Sequence, residues 1–354
     1  MVAERHLPAV LAVPGVTVRA VYDPDPAAAQ RVAAAAGGAL VASSLGQAVR
    51  TYGVDAVAVA SPNAFHREGV EAAAALGRHI FCEKPIATTL QDARAICDAA
   101  ARAGVLLQIG FHHRFATEFT LARRLLEAGV IGRVHAFQSM ISEPLSLVPG
   151  SGNYRLNPEL SGGLSLIDFG SHRLDQLRAL LGEFAEVHAV LDSIGAHRQD
   201  DNIALLTRTT GGALGTVSFH RFSRGAVSPT ILIGDRGALC FSAYVVNPFH
   251  AAPVALFTED PLPAEFRSFT RPSDWWNPPT PGWTAFYPPF ENPHHAEYAA
   301  FFDAIRSGAP PSITGEDGYR ALEIVLAAYQ SHASGLAVRL PLDPAGDFPV
   351  PRFG

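Results

Sequence analysis

The sequence contains little cysteine and no long apolar run. Its three cysteines, Cys82, Cys97 and Cys240, lie far apart in a chain of 354 residues. This spacing excludes a disulfide framework and a thiolate zinc site, and it predicts a reducing compartment. No apolar run is long enough to span a bilayer, and the start, MVAERHLPAV, lacks the charged and then apolar layout of a secretory signal. We therefore expect a cytoplasmic protein.

The chain also lacks an excess of positive charge, internal repeats and low-complexity tracts. Its net charge is −6 and its pI is about 6.1, and no basic stripe indicates nucleic acid as a partner. Hydrophobic residues make up 48% and charged residues 17% of the chain, which is typical of a globular protein rather than a disordered one. The length is comfortable for two domains.

Residues 1–115 alternate between short apolar stretches and helical patterns. This alternation predicts βαβ units and a parallel sheet, so we assign residues 1–115 to a domain of the nucleotide-binding type. The predicted strands are 16–22, 54–60, 79–84 and 105–111, and the predicted helices are 25–38, 64–77 and 89–104.

The pattern changes in the rest of the chain, 116–354. Long strands with glycine turns at Gly211-Gly212 and at 234–237 predict antiparallel hairpins. We therefore assign 116–354 to an α+β domain with a mainly antiparallel sheet and helices on one side. The predicted helices are 114–132, 161–182, 293–308 and 315–335.

Polar side chains follow four consecutive predicted strands of the first domain. Ligands of an open parallel sheet bind beyond the carboxyl ends of its strands, so these side chains together predict a site. Loops also begin with Asp, Ser, Pro or Asn for turn reasons alone, and that interpretation stays open for Asp23 and for Ser61-Pro62-Asn63. The other segments are Glu83-Lys84-Pro85 and the stretch GFHHRF at 110–115.

Lys84 is the side chain at this edge with the clearest chemistry. A residue before proline is held extended, and the bond to Pro85 is open to the cis form. A lysine projected in this way can hydrogen-bond a substrate oxygen. The alternative is a surface salt bridge between Glu83 and a nearby arginine.

A second cluster lies on the predicted helix GGLSLIDFGSHRLDQL. Asp168, His172 and Asp175 are four and three residues apart and share one helix face. A carboxylate one turn before a histidine can accept its N–H and raise its basicity, which makes His172 a candidate general base. A solvated pair on an exposed face is the alternative. Glycines at 162, 163 and 170 disfavour a helix and favour the close approach of another group.

We predict no metal site. Asp168, His172 and Asp175 are possible ligands by residue type, but no further residue stands at metal-like spacing. The two histidine pairs, 112–113 and 294–295, are adjacent in sequence, so their side chains need not face one way.

Taken together, these motifs resemble the Gfo/Idh/MocA family of oxidoreductases, named for glucose–fructose oxidoreductase and inositol dehydrogenase. The resemblance covers nearly the whole chain. It implies an N-terminal Rossmann domain, a C-terminal α+β domain with an open sheet, and NAD or NADP as the cofactor. It also implies oxidation or reduction of a carbon of a sugar, cyclitol or related polyol. The motifs that carry it are SPNAFH (61–66), EKP (83–85), GFHHRF (110–115) and GGLSLIDFGSHRLD (162–175).

The resemblance also implies a role for each site residue. Lys84 would hydrogen-bond the reacting hydroxyl, His172 would be the acid and base, and Asp168 would orient it. Asp23 would hold the adenosine ribose hydroxyls, which favours NAD because a carboxylate repels a 2′-phosphate. The residues that would line the rest of the cofactor are Ser61, Asn63, His66, Glu83 and Lys84.

The substrate pocket is the part of the site that the sequence specifies least. We expect Arg114, Tyr154, Arg155 and His172 to shape it, together with the loop 144–160. An acidic sugar is a possible substrate if the arginines face inward. Trp275 and its neighbours Trp276 and Trp283 could stack on a sugar or form an arm on a neighbouring subunit. The family also implies a homodimer or homotetramer that pairs through the C-terminal sheet.

The sequence departs from the family at its start. Family members begin with a strand and a glycine-rich turn about 20 residues before the ribose-binding acid, and counting back from Asp23 reaches Met1. Either the true start lies upstream or the phosphate loop has been lost; loss of that central strand would leave unpaired sheet edges. Two further hypotheses therefore stand beside a dehydrogenase with exchangeable NAD. One is an enzyme with tightly bound, recycled NAD(H), and the other is a redox-silent protein that binds a ligand or regulates a partner.

Overall fold

A computed structural model describes residues 2–145, 153–222, 225, 227–242, 252–270 and 282–353. Trp275 and Trp276 lie outside these residues, as does part of the loop 144–160. The chain forms two compact units. The first comprises Met1–His112, Glu159–Gly162 and Asn292–Leu322, and the second comprises His113–Pro158, Gly163–Glu291 and Glu323–Gly354.

The N-terminal segment contains five strands and five α-helices among its described residues. A π-helical turn, Val2–His6, precedes the first helix. The elements are α1 (Leu7–Leu11), β1 (Ala20–Val21), α2 (Pro26–Ala35), β2 (Leu40–Val41), α3 (Leu45–Arg50), β3 (Ala56–Val59), α4 (His66–Ala74), β4 (His79–Glu83), α5 (Leu90–Ala103) and β5 (Leu107–Gly110).

The remaining elements follow in chain order. They are α6 (Thr117–Glu127), β6 (Val134–Ser142), α7 (Pro158–Ser161), α8 (Ser171–Leu181), β7 (Phe184–Asp192), β8 (Asn202–Thr209), β9 (Leu214–His220), β10 (Pro229–Gly234), β11 (Gly237–Ser242), β12 (Val254–Thr258), β13 (Trp283–Phe286), α9 (Pro293–Ser307), α10 (Gly315–Ser334) and β14 (Val338–Arg339). No helix within the described ranges is long and apolar enough to cross a membrane.

Side-chain caps define the helix boundaries of the first unit. The Asp25 carboxylate accepts a hydrogen bond from the Ala27 N–H at the start of α2. The Thr89 hydroxyl accepts one from the Asp92 N–H at the start of α5, and Gly104 ends that helix with φ of 65°. A side-chain acceptor at the first position and a left-handed glycine after the last satisfy the backbone groups that a helix leaves unpaired.

The strands of the first unit form two parallel sheets. One contains β1 and β2, and the other has the order β3-β4-β5. The parallel arrangement predicted from the alternation of strands and helices is confirmed. No described strand pairs with both β1 and β3. The carboxyl ends of β4 and β5 lie side by side, since Glu83 pairs with Gly110.

Aromatic residues of β4 and α9 form part of the core of the first unit. Phe81 stacks on Tyr298 with ring centroids 4.3 Å apart and meets Phe301 edge-on. Val13, just after α1, belongs to the same buried cluster. These contacts hold α9 against β4, the strand that ends at Glu83 and is followed by Lys84.

The second unit is built on a nine-stranded sheet with the order β13-β12-β11-β10-β6-β9-β8-β7-β14. Only the central pair β6 and β9 is parallel within this sheet. The predicted mainly antiparallel sheet is confirmed, including the hairpin turns between β8 and β9 and between β10 and β11. Along β8 burial alternates, with Leu205 3% and Leu206 57% exposed, so one face of the sheet carries the core.

Helix α8 packs on this sheet through a buried arginine. Arg173 is 1% exposed and donates to the hydroxyls of Thr230 and Ser228. Burial lowers the pKa of Arg173 to about 10. These bonds tie the helix that carries His172 to strand β10.

Candidate active site

The segment after β3 is held by two buried side chains. Asn63 is 3% exposed and donates from its side-chain amide to the Ser161 carbonyl at 2.8 Å. His66 is fully buried, with Nδ1 2.9 Å from the Pro85 carbonyl and Nε2 3.0 Å from the Ser61 carbonyl. His66 therefore links the segments that follow β3 and β4.

The bonds of His66 also define its chemistry. A neutral imidazole has one N–H, so it can donate to only one of the two carbonyls at a time. Burial lowers the pKa of His66, and the hydrogen bonds to backbone carbonyls oppose that effect. The geometry supports a positioning role, and direct contact with a nicotinamide ribose stays a prediction.

Glu83 ends β4 as a buried carboxylate. It is 5% exposed, which argues against the surface salt bridge considered above. Its Oε2 accepts from the Lys84 N–H at 3.2 Å, and its Oε1 lies 3.5 Å from His6 Nε2. Burial, the largest cause, lowers the pKa of His6 to about 4, so at neutral pH this contact is polar and not an ion pair.

Gly110 makes room for that carboxylate. A Cβ atom at this position would lie 2.6 Å from Glu83 Oε1, closer than van der Waals contact allows. Alanine at position 110 would therefore displace the carboxylate. The sequence analysis passed over this requirement because it depends on the register between β4 and β5.

Lys84 follows directly after β4, and its side chain is half-buried. The Lys84–Pro85 peptide bond is cis. Lys84 is also the one lysine among the 27 lysine and arginine residues of the chain. The use of arginine for every other basic position strengthens the assignment of a specific role to this amine, because lysine and arginine differ in shape and hydration.

Asp23 lies on the surface two residues after β1. Its Oδ1 accepts a hydrogen bond from the Asp25 N–H at 2.9 Å. This is the turn geometry that aspartate adopts at the end of a strand. This turn uses one of the two carboxylate oxygens of Asp23. Binding of ribose hydroxyls by Asp23 therefore stays a prediction.

In the second unit, Asp168 lies within a helix irregularity, and His172 follows it in the first turn of α8. Residues Leu166–Gly170 form a π-helical turn before α8 begins at Ser171, where the α-helical pattern predicts a continuous α-helix. A π-turn is a frequent feature of functional sites. It changes the angular offset between residues 168 and 172, so the hydrogen bond between them stays a prediction.

His172 is enclosed by aromatic rings. It is 3% exposed, and its ring stacks on His113 with centroids 4.0 Å apart and planes 11° apart. Phe169 approaches edge-on at 6.3 Å. The orientation of the imidazole is therefore restricted by packing, as a proton-transfer group requires.

Arg155 holds Asp168. Its Nε donates to Asp168 Oδ2 at 3.2 Å, and its guanidinium lies over the Tyr154 ring at 4.9 Å. The three residues 154, 155 and 168 were predicted as substrate and catalytic groups from separate motifs, and the structure brings them together.

A second ion pair, which the sequence analysis missed, joins this group. Arg221 contacts Glu143 at 3.2 Å, and its guanidinium lies over the Phe169 ring at 4.6 Å. Burial raises the pKa of Glu143, and Arg221 opposes that effect. The two residues follow β9 and β6, which pair in parallel, and no local pattern in the sequence reveals such a pairing.

Arg114 forms a bidentate ion pair within the second unit. It donates to both carboxylate oxygens of Asp175 at 2.6 and 2.5 Å, and Asp175 is fully buried. Next to it, Gln176 donates to the His113 carbonyl at 2.9 Å. Helix α8 therefore holds residues 113 and 114 from two neighbouring positions, and substrate contact by Arg114 stays a prediction.

Asp200 anchors the start of the π-helical turn. Its two carboxylate oxygens accept from the N–H groups of Leu164 and Leu166 at 2.9 and 2.7 Å. Burial raises the pKa of Asp200 to about 6, although these hydrogen bonds oppose it. Gly163 has φ of 132°, and a Cβ there would lie 2.1 Å from the Tyr329 hydroxyl. The close approach expected at these glycines is made by the chain itself.

The fit to a dinucleotide is partial. The exposed carboxylate after β1 suits ribose hydroxyls, and the amine and buried polar groups after β3 and β4 suit the nicotinamide end. Residues 2–19 form a π-helical turn, α1 and turns that contain a single glycine. A glycine-rich cradle for the pyrophosphate is therefore not supplied by the described residues ahead of β1.

Comparison with protein families identifies the class. Residues 1–111 match the oxidoreductase family with an NAD-binding Rossmann fold, and residues 119–240 match the GFO/IDH/MocA C-terminal domain. Fold and matched regions together define an oxidoreductase with a Rossmann unit and a separate α+β unit. The chain belongs to the Gfo/Idh/MocA family, and the resemblance inferred from its motifs is confirmed.

Individual relatives agree with this membership. The rhizopine catabolism protein MocA of Rhizobium meliloti is 30% identical over 310 residues, which cover 86% of this chain and 84% of MocA. Myo-inositol 2-dehydrogenase of Thermotoga maritima is 28% identical over 294 residues, or 81% and 80% of the two chains. A structure of levoglucosan dehydrogenase with NADH and levoglucosan is 25% identical, with a TM-score of 0.80 over 95% of each chain.

Proposed function

We propose that this protein transfers a hydride between NAD and a carbon of a sugar, cyclitol or related polyol. In the oxidative direction an alcohol carbon loses a hydride to NAD⁺ and its hydroxyl proton to the protein, which leaves a ketone and NADH. The relatives named above, which act on inositol and levoglucosan by their names, support this substrate class. The acid at position 23 favours NAD over NADP, because a carboxylate repels a 2′-phosphate.

His172 is the proposed acid and base. Its enclosure by His113 and Phe169 is the observation that supports this assignment most directly. A buried imidazole is not part of a solvated surface pair, and its fixed orientation is suited to proton transfer. Asp168, held by Arg155, is proposed to favour the protonated ring that forms when the alcohol loses its proton.

Lys84 is proposed to bind the reacting hydroxyl. An ammonium group supplies up to three donors and stabilises the partial negative charge that develops on the oxygen. Glu83, Asn63, Ser61 and His66 are proposed to hold the segments beside it in place. The bound cofactor supplies the hydride chemistry, while these side chains supply position and proton transfer.

The single lysine allows a direct test of this function. Acetylation with an amine-selective reagent modifies only Lys84 and the terminal amine, so we expect it to abolish NAD-dependent turnover of myo-inositol or levoglucosan. Saturating NADH with polyol should slow the modification of Lys84, measured by peptide mass spectrometry. Brief acetylation near pH 7, where a terminal amine reacts faster than lysine because its pKa is lower, controls for the terminal amine. Full activity after complete acetylation of Lys84 would remove the assignment.

A cofactor titration separates this proposal from a redox-silent binding protein. Quenching or enhancement of NADH fluorescence below about 1 mM cofactor, the range of ordinary Michaelis constants, is expected for the oxidoreductase. Binding of a polyol by calorimetry without any binding of NADH would favour the silent protein instead.

We also propose that the protein assembles as a homodimer or homotetramer. The open face of the nine-stranded sheet exposes apolar side chains, including Val190 at 60% and Leu206 at 57%. Light scattering tests this proposal, and a monomer at micromolar concentration would contradict it.

A further inference from the structure

Three metal-ligating side chains meet in the first unit at the end of β5 and the start of α9. They are His112, His294 and Glu297, and each offers one ligand atom within 4.8 Å of the other two. Neither histidine pair supports a metal prediction from the sequence, because the side chains of adjacent residues need not face one way. The structure instead combines one histidine from each pair with a glutamate.

Local structure explains how the three groups come together. His294 and Glu297 are three residues apart on α9, so they share one face of that helix. The Asn292 side chain caps α9 by accepting from the His294 N–H at 3.0 Å. Gln108 on β5 donates to the Glu297 carbonyl at 3.1 Å and so holds α9 beside the strand that leads to His112.

The three groups are removed from water. Glu297 is fully buried and His294 is 8% exposed. Both ring nitrogens of His294 are shielded from solvent and have no hydrogen-bond partner among the described residues.

The donor set has a recognisable chemistry. Two imidazoles and one carboxylate are the ligands of many catalytic zinc sites and of non-haem iron sites. Magnesium and calcium prefer oxygen donors throughout, which makes them poor candidates here. A buried carboxylate also gains stability from a cation that replaces its lost hydration.

We propose that His112, His294 and Glu297 bind one divalent first-row transition metal ion, with Zn²⁺ as the reference ion. The ion would clamp the start of α9 to the segment after β5. This site goes beyond the proposed hydride transfer and requires no cofactor.

One ring must turn for the ion to bind. The rings of His112 and His294 stack with centroids 3.9 Å apart and planes 23° apart, whereas an imidazole ligates a metal in the plane of its ring. Rotation of one of the two rings about its Cβ–Cγ bond is therefore required before both can direct a nitrogen at the same ion. His6 forms the next layer: its ring centroid lies 5.6 Å from that of His294, and its Nδ1 contacts the Tyr298 hydroxyl at 3.0 Å.

Cobalt provides the probe for this site. Tag-free protein stripped with a chelator is titrated with Co²⁺, and visible absorption reports the number of ions bound and their coordination. We expect one Co²⁺ per chain, displaced by one equivalent of Zn²⁺. Loss of a residue that hydrogen-bonds a metal ligand typically lowers metal affinity by roughly 10–100-fold. Glu297→Gln and His294→Gln remove ligands themselves, so each should lower Co²⁺ affinity by at least that factor.

His295→Gln is the matched control. His295 is the next residue of the same helix and is exposed, so its replacement should leave Co²⁺ affinity unchanged. Weaker binding in this control alone would assign the ion to the surface and overturn the proposal. Wild-type protein that takes up no Co²⁺ or Zn²⁺ overturns it as well, whether or not the variants fold. Cobalt absorption does not depend on NADH, so failure of the proposed hydride transfer would leave this result intact.

Discussion

The two units hold their candidate site residues by different means. In the first unit, the groups after β3 and β4 are held by backbone carbonyls and by buried neutral histidines, such as His66 and His6. In the second unit, they are held by ion pairs, of which Arg114 with Asp175 is the most buried. A buried charge needs its partner, whereas a buried neutral histidine needs only to stay unprotonated. The two units should therefore fail under different perturbations.

The largest effect is expected from His172→Ala. Loss of a positioned acid and base costs about 10²–10⁴ in turnover, so kcat should fall by that factor while NADH affinity changes little. The matched control is His135→Ala, which removes a histidine whose side chain is 56% exposed. Turnover in His172→Ala within a few-fold of His135→Ala would show that the enclosed imidazole of the second unit has no catalytic part.

Asp175→Asn tests the dependence of the second unit on ion pairs. It leaves the Arg114 guanidinium, 11% exposed, without its carboxylate, and breaking such a buried pair costs about 3–5 kcal/mol. Urea unfolding followed by tryptophan fluorescence measures this loss, because Trp283 lies on β13 of the second unit.

Glu183→Gln is the control for that measurement. It removes the carboxylate from the pair of Arg178 and Glu183, whose glutamate side chain is 51% exposed, and exposed pairs contribute about 1 kcal/mol or less. Equal losses in the two variants would contradict the contrast drawn between the units.

Lowering the pH should destabilise the first unit before the second. Because the pKa of His6 falls from 6.5 to about 4 on folding, the unfolded chain takes up its proton at a higher pH than the folded chain does. The stability that neutral His6 provides is present above pH 6.5 and is lost as the pH falls toward 4. At pH 5 the loss in the free energy of unfolding from this one group is about 2 kcal/mol.

Hydrogen exchange of first-unit peptides at pH 7 and pH 5 measures the acid effect. His6→Gln should flatten this pH dependence, and His135→Gln should leave it unchanged, since the His135 side chain is 56% exposed. The same pH dependence in wild type and His6→Gln would show that neutral histidine does not govern this unit.

The smallest effect is expected at the cap of α9. Asn292→Ala removes the acceptor for the His294 N–H and should lower the free energy of unfolding by about 1 kcal/mol. Thermal unfolding measures it, with the exposed Glu127→Gln as a control at about 0.3–0.5 kcal/mol. A loss at Asn292→Ala no larger than that of the control would mean that the cap contributes nothing beyond a surface pair.

Much of this architecture could be predicted because its determinants are local. Short apolar strands between helices specify the parallel sheets, and the glycine pair before β9 specifies a hairpin. The family motifs around Lys84 and His172 are also contiguous stretches. That Lys84 is the one lysine of the chain is equally visible in the sequence.

The rest depends on contacts between distant parts of the chain. The pair of Arg221 and Glu143 requires the parallel register of β6 and β9, and the anchor at Asp200 requires a turn that lies 34 and 36 residues earlier in the chain. The π-helical turn at Leu166–Gly170 has the same apolar spacing as an α-helix over one turn, so periodicity does not distinguish them.

Gly110 and Glu83 have a consequence for how this sequence can change over time. An added methyl at 110 would sit 2.6 Å from the Glu83 carboxylate, so alanine there requires that carboxylate to move, whereas a smaller side chain at position 83 would remove the overlap. The order in which two such mutations arrive then decides whether the intermediate carries a displaced carboxylate. Surveys of natural variants should find these two positions, 27 residues apart, changing as a pair.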